Sequence, residues 1–172
     1  MTRLLFFVFL FLLSCTHAFK SNQLDIANTK SFFTQLDDSV LTKSSFLLID
    51  TVQKEWKELF VRSASYQKAL NDEDIKFIAE QFDNTPLKTW TNVVFDSARI
   101  VSEAYIDTFR KNTGWTPVHY KFSLPYFSKD KKYCLLYYDH YCGNLCAEQS
   151  LRLYKIVNGR WTIIKTLFSI VS

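Results

Sequence analysis

Four residues near the end of the chain have types and spacing that could do chemistry: Cys134, His140, Cys142 and Cys146. Together they contain the ligand types of a tetrahedral zinc site. Reach argues against that site. Cys134 and Cys142 stand eight residues apart in what reads as one extended strand, so roughly 26 Å separates them at about 3.3 Å per residue. Cys134 then reads as a free, buried thiol, and the other three residues form an incomplete metal-binding hairpin. A nucleophilic pair fares no better. His140 and Cys142 share a strand face, while Asp139 points to the opposite one, where it cannot orient a base. The C-x3-C spacing also differs from the C-x-x-C of thioredoxin-like redox sites. In an oxidising compartment, the pairing that fits is a disulfide between Cys142 and Cys146. The two flank a short turn whose ends must come together, which meets the Cα separation of about 4.4 to 6.8 Å that such a bond requires. Closing so small a loop contributes about 2 kcal/mol.

The first eighteen residues indicate the compartment. Thr2 and Arg3 lead into an unbroken apolar run, Leu4 to Leu13, followed by Ser14-Cys15-Thr16-His17-Ala18. A positive start, a short apolar stretch and a small residue at a cleavable end are the anatomy of a secretory signal. The run is too short to cross a hydrocarbon core of about 30 Å as a helix. Two processing routes stay open. Cleavage after Ala18 leaves Phe19 first, whereas Leu12-Leu13-Ser14-Cys15 resembles a bacterial lipobox, cleaved before an acylated Cys15. Triacylation would anchor the chain stably. The expectation is an exported protein, either a periplasmic or outer-membrane lipoprotein or a secreted one, whose only contact with a membrane is through Cys15. Disulfides persist in such compartments.

Elsewhere the sequence is chemically quiet. The acidic pairs Asp37-Asp38 and Asp72-Glu73-Asp74 read as a solvated helix end and a first helical turn. A small periplasmic hydrolase would need two carboxylates brought together from distant positions, and no spacing selects them. The mature chain has only Gly114, Gly143 and Gly159, too few for a phosphate-binding loop. No cofactor is expected. The formal net charge of +4 falls by one when Arg3 is removed, well short of a nucleic-acid-binding stripe. Lys129, Lys131 and Lys132, with Asp130 among them, read as a solvated turn. Tyr133, Tyr137 and Tyr141 line one face of a strand, with Leu136 and Tyr138 opposite. Such a tyrosine-rich sheet face suits a glycan or protein ligand.

The elements that must position these residues divide the chain. Residues 1–18 are the signal and 19–172 a single domain, with 19–117 mainly helical and 118–172 a β-meander. Aromatic residues make up 17% of the chain, enough for a bulky core. The spacing predicts a helix at about Lys30–Leu36. A second, amphipathic helix is predicted from Ser45 through Leu48, Val52, Trp56, Leu59 and Phe60. Asn71 caps a third helix, which presents Ile75, Ile78, Ala79 and Phe82 and stops at Asp83-Asn84-Thr85-Pro86. A fourth helix runs from Ser102 to Lys111 and breaks at Asn112-Thr113-Gly114. Four strands follow. Val118–Phe127 is interrupted by Pro125, which suggests an edge. Tyr133–Tyr141 is central and Ser150–Val157 is next. Asn158-Gly159 then turns into Arg160–Ile170, with Trp161, Ile163, Leu167 and Val171 on one face. The expected fold class is α+β, the helical N-terminal half packed on one side of an antiparallel meander of about four strands.

Three motifs occur in order: Phe127-Ser128-Lys129-Asp130, Cys142-Gly143-Asn144-Leu145-Cys146, and Asn158-Gly159-Arg160-Trp161. In this, residues 126–172 resemble a family of exported, often lipoprotein-like proteins of gram-negative bacteria. That family runs Phe-Ser-Lys-Asp, a strand, Cys-Gly-x-Leu-Cys-Gly, a strand, and an Asn-Gly-x-Trp hairpin. This chain departs at Ala147, where a second glycine is usual, and at its Ser169-Ile170-Val171-Ser172 ending. The resemblance implies export and the cysteine hairpin, and implies no activity. The functional expectation is a non-enzymatic binding or structural module of the envelope or the medium. A small hydrolase and a metal-binding hairpin are the alternatives.

Overall fold

The computed structural model describes residues 26–36, 46–52, 56–84, 89–90, 95 and 98–172. Residues 1–18, where a signal is expected, Cys15 among them, and Asp37-Asp38 lie outside the described residues. The fold is α+β, built on a mixed sheet of seven strands. The strands are β1 (Phe46–Ile49), β2 (Ala98–Val101), β3 (His119–Phe122), β4 (Tyr126–Phe127), β5 (Tyr133–Gly143), β6 (Cys146–Val157) and β7 (Arg160–Val171). The helices are α1 (26–34), α2 (Lys57–Tyr66), α3 (Asp72–Asn84) and α4 (Glu103–Thr113). The sheet order is β2-β1-β3-β5-β6-β7, with β4 also on β5.

The order and antiparallel pairing of the last three strands are as predicted, within a sheet of seven strands rather than the expected four or so. Strands β5, β6 and β7 pair antiparallel, and Asn158 and Gly159 both take positive φ (51° and 77°) in the turn between the last two. The helical front is corrected. Phe46–Ile49 is a strand, not the start of a helix, and the helix begins only at Lys57. A short apolar run fits a buried helix or a strand equally well by periodicity. Here parallel neighbours on both sides, β2 and β3, decide for the strand. A parallel strand buried on both faces reads as continuous hydrophobicity rather than alternation. Strand β2 has no counterpart in the sequence reading.

Pro125 marks a break, and only half of an edge. β3 is internal, between β1 and β5, whereas β4 pairs β5 alone among the described strands. Ser123 bridges the break: its Oγ accepts from the Tyr137 N–H at 2.9 Å. The free side of β4 is met by Gln81 of α3, whose amide donates to the Phe127 carbonyl (2.7 Å) and accepts from its N–H (3.2 Å).

Helices cover both faces of the sheet, not one. Strand alternation puts Leu135, Tyr137, Asp139 and Tyr141 on one face with Tyr126, His119, Lys121 and Leu151 beside them. On this face Trp56 stacks on Tyr137 (4.1 Å) and Phe82 on Tyr126 (4.0 Å). Ile106 of α4 packs with Ile49 and Val101. The opposite face carries Cys134, Leu136, Tyr138 and His140. It is covered by α1, whose Thr29, Phe32 and Phe33 are buried at helical spacing, and by Leu36 just beyond it, which bridges to Trp161. Phe32 meets Tyr154, Phe127 and Trp161 edge-on or tilted, and Phe33 meets Phe95 and Phe122. Among the described residues no helix is long and apolar enough to cross a membrane.

The predicted face of β7 does not survive as one stripe. Trp161 and Leu167 are buried, while Ile163 and Val171 are exposed. Register shifts opposite Leu151/Arg152 and Leu153/Tyr154 insert extra residues into β7, and each one resets the alternation.

Candidate functional site

The helix caps hold as read. Asn71 Oδ1 accepts from the Asp74 N–H at 2.7 Å, and Ser102 Oγ accepts from the Tyr105 N–H at 3.2 Å. The second cap launches α4 across the end of the sheet, and the helix closes at Gly114. Between α4 and the sheet lies a cleft of about 460 Å³. Its walls include Glu103, Asp107 and Arg110 from the helix, His119, Lys121 and Tyr141 from the sheet, and Gly143, Asn144 and Cys146 from the β5–β6 turn.

His119 is buried, with its ring 4.7 Å from that of Tyr141 and within 6° of parallel. Its Nδ1 lies 2.8 Å from the Pro117 carbonyl. That contact assigns the proton to Nδ1 and leaves Nε2 the acceptor. Burial pulls its pKa below the ordinary value, so the ring is neutral near pH 7. Lys121 Nζ pairs with Glu103 Oε1 at 2.6 Å, and Arg110 pairs with Asp107 at 3.0 Å. Beside Lys121, Asp139 is buried with Oδ1 unpartnered. Burial raises its pKa, Lys121 and the Tyr137 hydroxyl oppose the rise, and Glu103 adds to it.

Cys142 and Cys146 form the predicted disulfide, with Cα atoms 5.1 Å apart. Cys134 is the free cysteine among the described residues, fully buried on the far face, and its thiol is held neutral by burial. The tip that the disulfide closes docks on the end of α4. Asn144 Oδ1 accepts from the Thr116 N–H (2.8 Å), and its amide donates to the Gly114 carbonyl (3.1 Å). Gly143 lies close against the Trp115 ring, with no room for a side chain between them.

The cysteine reading therefore places one wall of a cleft that sequence reasoning did not find. His140 lies on the opposite face, stacked on Tyr120 at 4.5 Å, so it joins neither the disulfide nor the cleft. Among the described residues no group of three or more His, Cys, Asp or Glu could hold a metal ion. Tyr133, Tyr137 and Tyr141 do share a face. That face is not open: Tyr137 is buried beneath Trp56, and of the three only Tyr141 lines the cleft. The lysine turn is solvated, with Lys129 paired to Glu73 and Lys132 to Asp130.

No protein-family model, curated protein or solved structure matches this chain. The cleft's acids are each held by a base, its histidine is fixed by a carbonyl and a ring, and its two tip thiols are spent on each other. Such a set presents hydrogen-bonding groups and ring faces.

Proposed function

We propose that this chain is an exported, non-enzymatic binding module that seats a neutral saccharide in the cleft between α4 and the cysteine tip. The observation that carries the reading is the lining. Two acidic and two basic side chains, mutually paired, stand with Asn144, Thr116, a neutral His119 and the Tyr141 ring around about 460 Å³. Balanced charge gives no advantage to a strongly ionic ligand. Polar groups on the walls with an aromatic face among them suit a molecule that has hydroxyls on its edges and C–H groups on its faces. Export is supported by the first eighteen residues, by the disulfide, and by the resemblance carried by Phe127–Asp130, Cys142–Cys146 and Asn158–Trp161. The chain is then either tethered through Cys15 or released with Phe19 first.

The test is retention of the full mature chain on a panel of immobilised neutral oligosaccharides. Retention is expected for one class and is expected to be lost in Ala147→Trp, because Ala147 lies in the cleft wall beside Cys146 and a bulky ring there takes up the cleft's space. A chain that retains no neutral glycan, or an Ala147→Trp variant that binds as well as the parent, overturns the reading. Intact mass of the protein from its own cells decides the tether: a lipid-bearing start at Cys15 or a bare start at Phe19.

A further inference from the structure

We propose that the cleft is redox-controlled: the Cys142–Cys146 disulfide is a latch that holds the cleft's tip wall in place, and a dithiol reductant opens it. The proposal rests on the cleft being the ligand seat, and its structural half can be tested without any ligand. Five residues of the cleft lining, Gly114, Thr116, Gly143, Asn144 and Cys146, belong to the tip or to the strip of chain on which it docks. The two parts are joined by the two Asn144 hydrogen bonds and by the contact of Gly143 with the Trp115 ring. All three contacts come from the loop that the disulfide closes.

The sheet holds the base of that loop through the Ala147–Ser172 backbone pair and reaches the tip only through the last pair, Gly143 with Cys146. The β5–β6 ladder shifts register between Tyr141 and Gly143, which leaves Cys142 as the residue without a partner there. Gly143 has φ +130°, a conformation that side-chain-bearing residues rarely adopt. Beyond it, Leu145 is 94% exposed. Without the cross-link, the tip is a two-residue turn, Asn144-Leu145, exposed to solvent, the kind of segment that opens locally at little free-energy cost.

The bond is also reachable. Cys146 is exposed and Cys142 half-buried, and exposed disulfides are the labile ones. A thiolate of the dithiol attacks Sγ of Cys146, the S–S bond breaks, and Cys142 leaves as a thiolate that takes up a proton. The second thiol of the reagent then attacks the mixed disulfide and releases Cys146. Two electrons enter the protein, the dithiol becomes a disulfide, and its two protons end on the two cysteines. Cys134 takes no part, being buried on the other face at the far end of β5.

The experiment is amide hydrogen exchange on the full mature chain, oxidised and after dithiothreitol. The reporter is the Thr116 N–H, which donates to Asn144. Reduction is expected to speed its exchange roughly tenfold or more while the mid-ladder amides of Leu153 and Tyr154 stay as slow as before. Asn144→Ala in the oxidised protein is expected to give the fast rate at Thr116, with no further change on reduction. Unchanged Thr116 exchange on reduction overturns the proposal. So does loss of protection that spreads to Leu153, since the bond would then hold the domain rather than the wall. If the exchange behaves as expected but no glycan is retained by either form, the latch stands and the saccharide reading fails. If the oxidised protein binds and reduction changes Thr116 exchange but not binding, control of the cleft fails.

Discussion

Gly143 lies so close to the Trp115 ring that a Cβ on it would stand 2.9 Å from Cζ2. The contact brings the tip of β5–β6 onto the loop after α4, and only glycine permits it. Gly143→Ala meets two penalties, the ring and the φ of +130°. We expect it to destabilise the protein by about 1–3 kcal/mol, read by urea denaturation. In a Trp115→Ala background the ring penalty is gone and only the backbone strain remains, so the cost of Gly143→Ala should shrink. An equal cost in both backgrounds would mean that the ring contact contributes nothing.

Helix α1 should be integral to the domain and not an appendage. Phe32 is 1% exposed and touches Phe33, Phe127, Tyr154 and Trp161. Phe32→Ala is expected to cost about 3–5 kcal/mol, the loss of a fully buried ring plus the cavity it leaves. The measurement is the denaturation midpoint. A cost below about 1 kcal/mol, which is what exposed substitutions give, would show that the second face is not packed as described.

The cap of α3 is a smaller and more local case. Asn71 Oδ1 satisfies the Asp74 N–H, and Asp72, Glu73 and Asp74 fill the first turn. Asn71→Ala should cost about 1 kcal/mol, whereas Asn71→Ser, which keeps an acceptor, should cost less than half of that. Thermal unfolding of the two variants side by side checks the order.

What could be read from the sequence was local. Asn71, Ser102 and Gly114 mark helix ends by capping chemistry, Asn158-Gly159 marks a hairpin by backbone conformation, and Cys142 and Cys146 pair because a short turn leaves them no other distance. Each signal acts within a few residues. What escaped depends on partners remote in the chain. Phe46–Ile49 is a strand only because Ala98–Val101 and His119–Tyr120 flank it. The second covered face exists because α1 folds onto Tyr154 and Trp161. The cleft escaped for the same reason. Strand alternation puts His119 and Lys121 on one face, and nothing in their spacing tells that Tyr141 and Asp139 stand opposite them, or that Glu103 reaches Lys121.

Asp139 gives the pH prediction its sign. The residue is 3% exposed with Oδ1 unpartnered, and burial raises its pKa above the ordinary 3.8 despite Lys121. A raised carboxyl contributes stability below pH 3.8, and that contribution is lost as pH rises through the folded-state value. At neutral pH the buried charge is therefore a cost. His119 and His140 act in the other direction, because burial lowers both from the ordinary 6.5. Between their folded values and 6.5 the unfolded chain binds more protons, so acidification through that window destabilises. Asp139→Asn keeps an acceptor for Tyr137 and removes the charge. We expect it to stabilise the protein at pH 7 by about 1 kcal/mol, with the gain shrinking toward zero near pH 3.8, where the parent carboxyl is itself neutral. The histidine-driven loss between neutral pH and pH 5 should be unchanged in the variant. Urea denaturation of parent and variant at pH 7, 5 and 4 measures all of this. A gain that is constant across the three would mean that the charge of Asp139 is not what the fold works against.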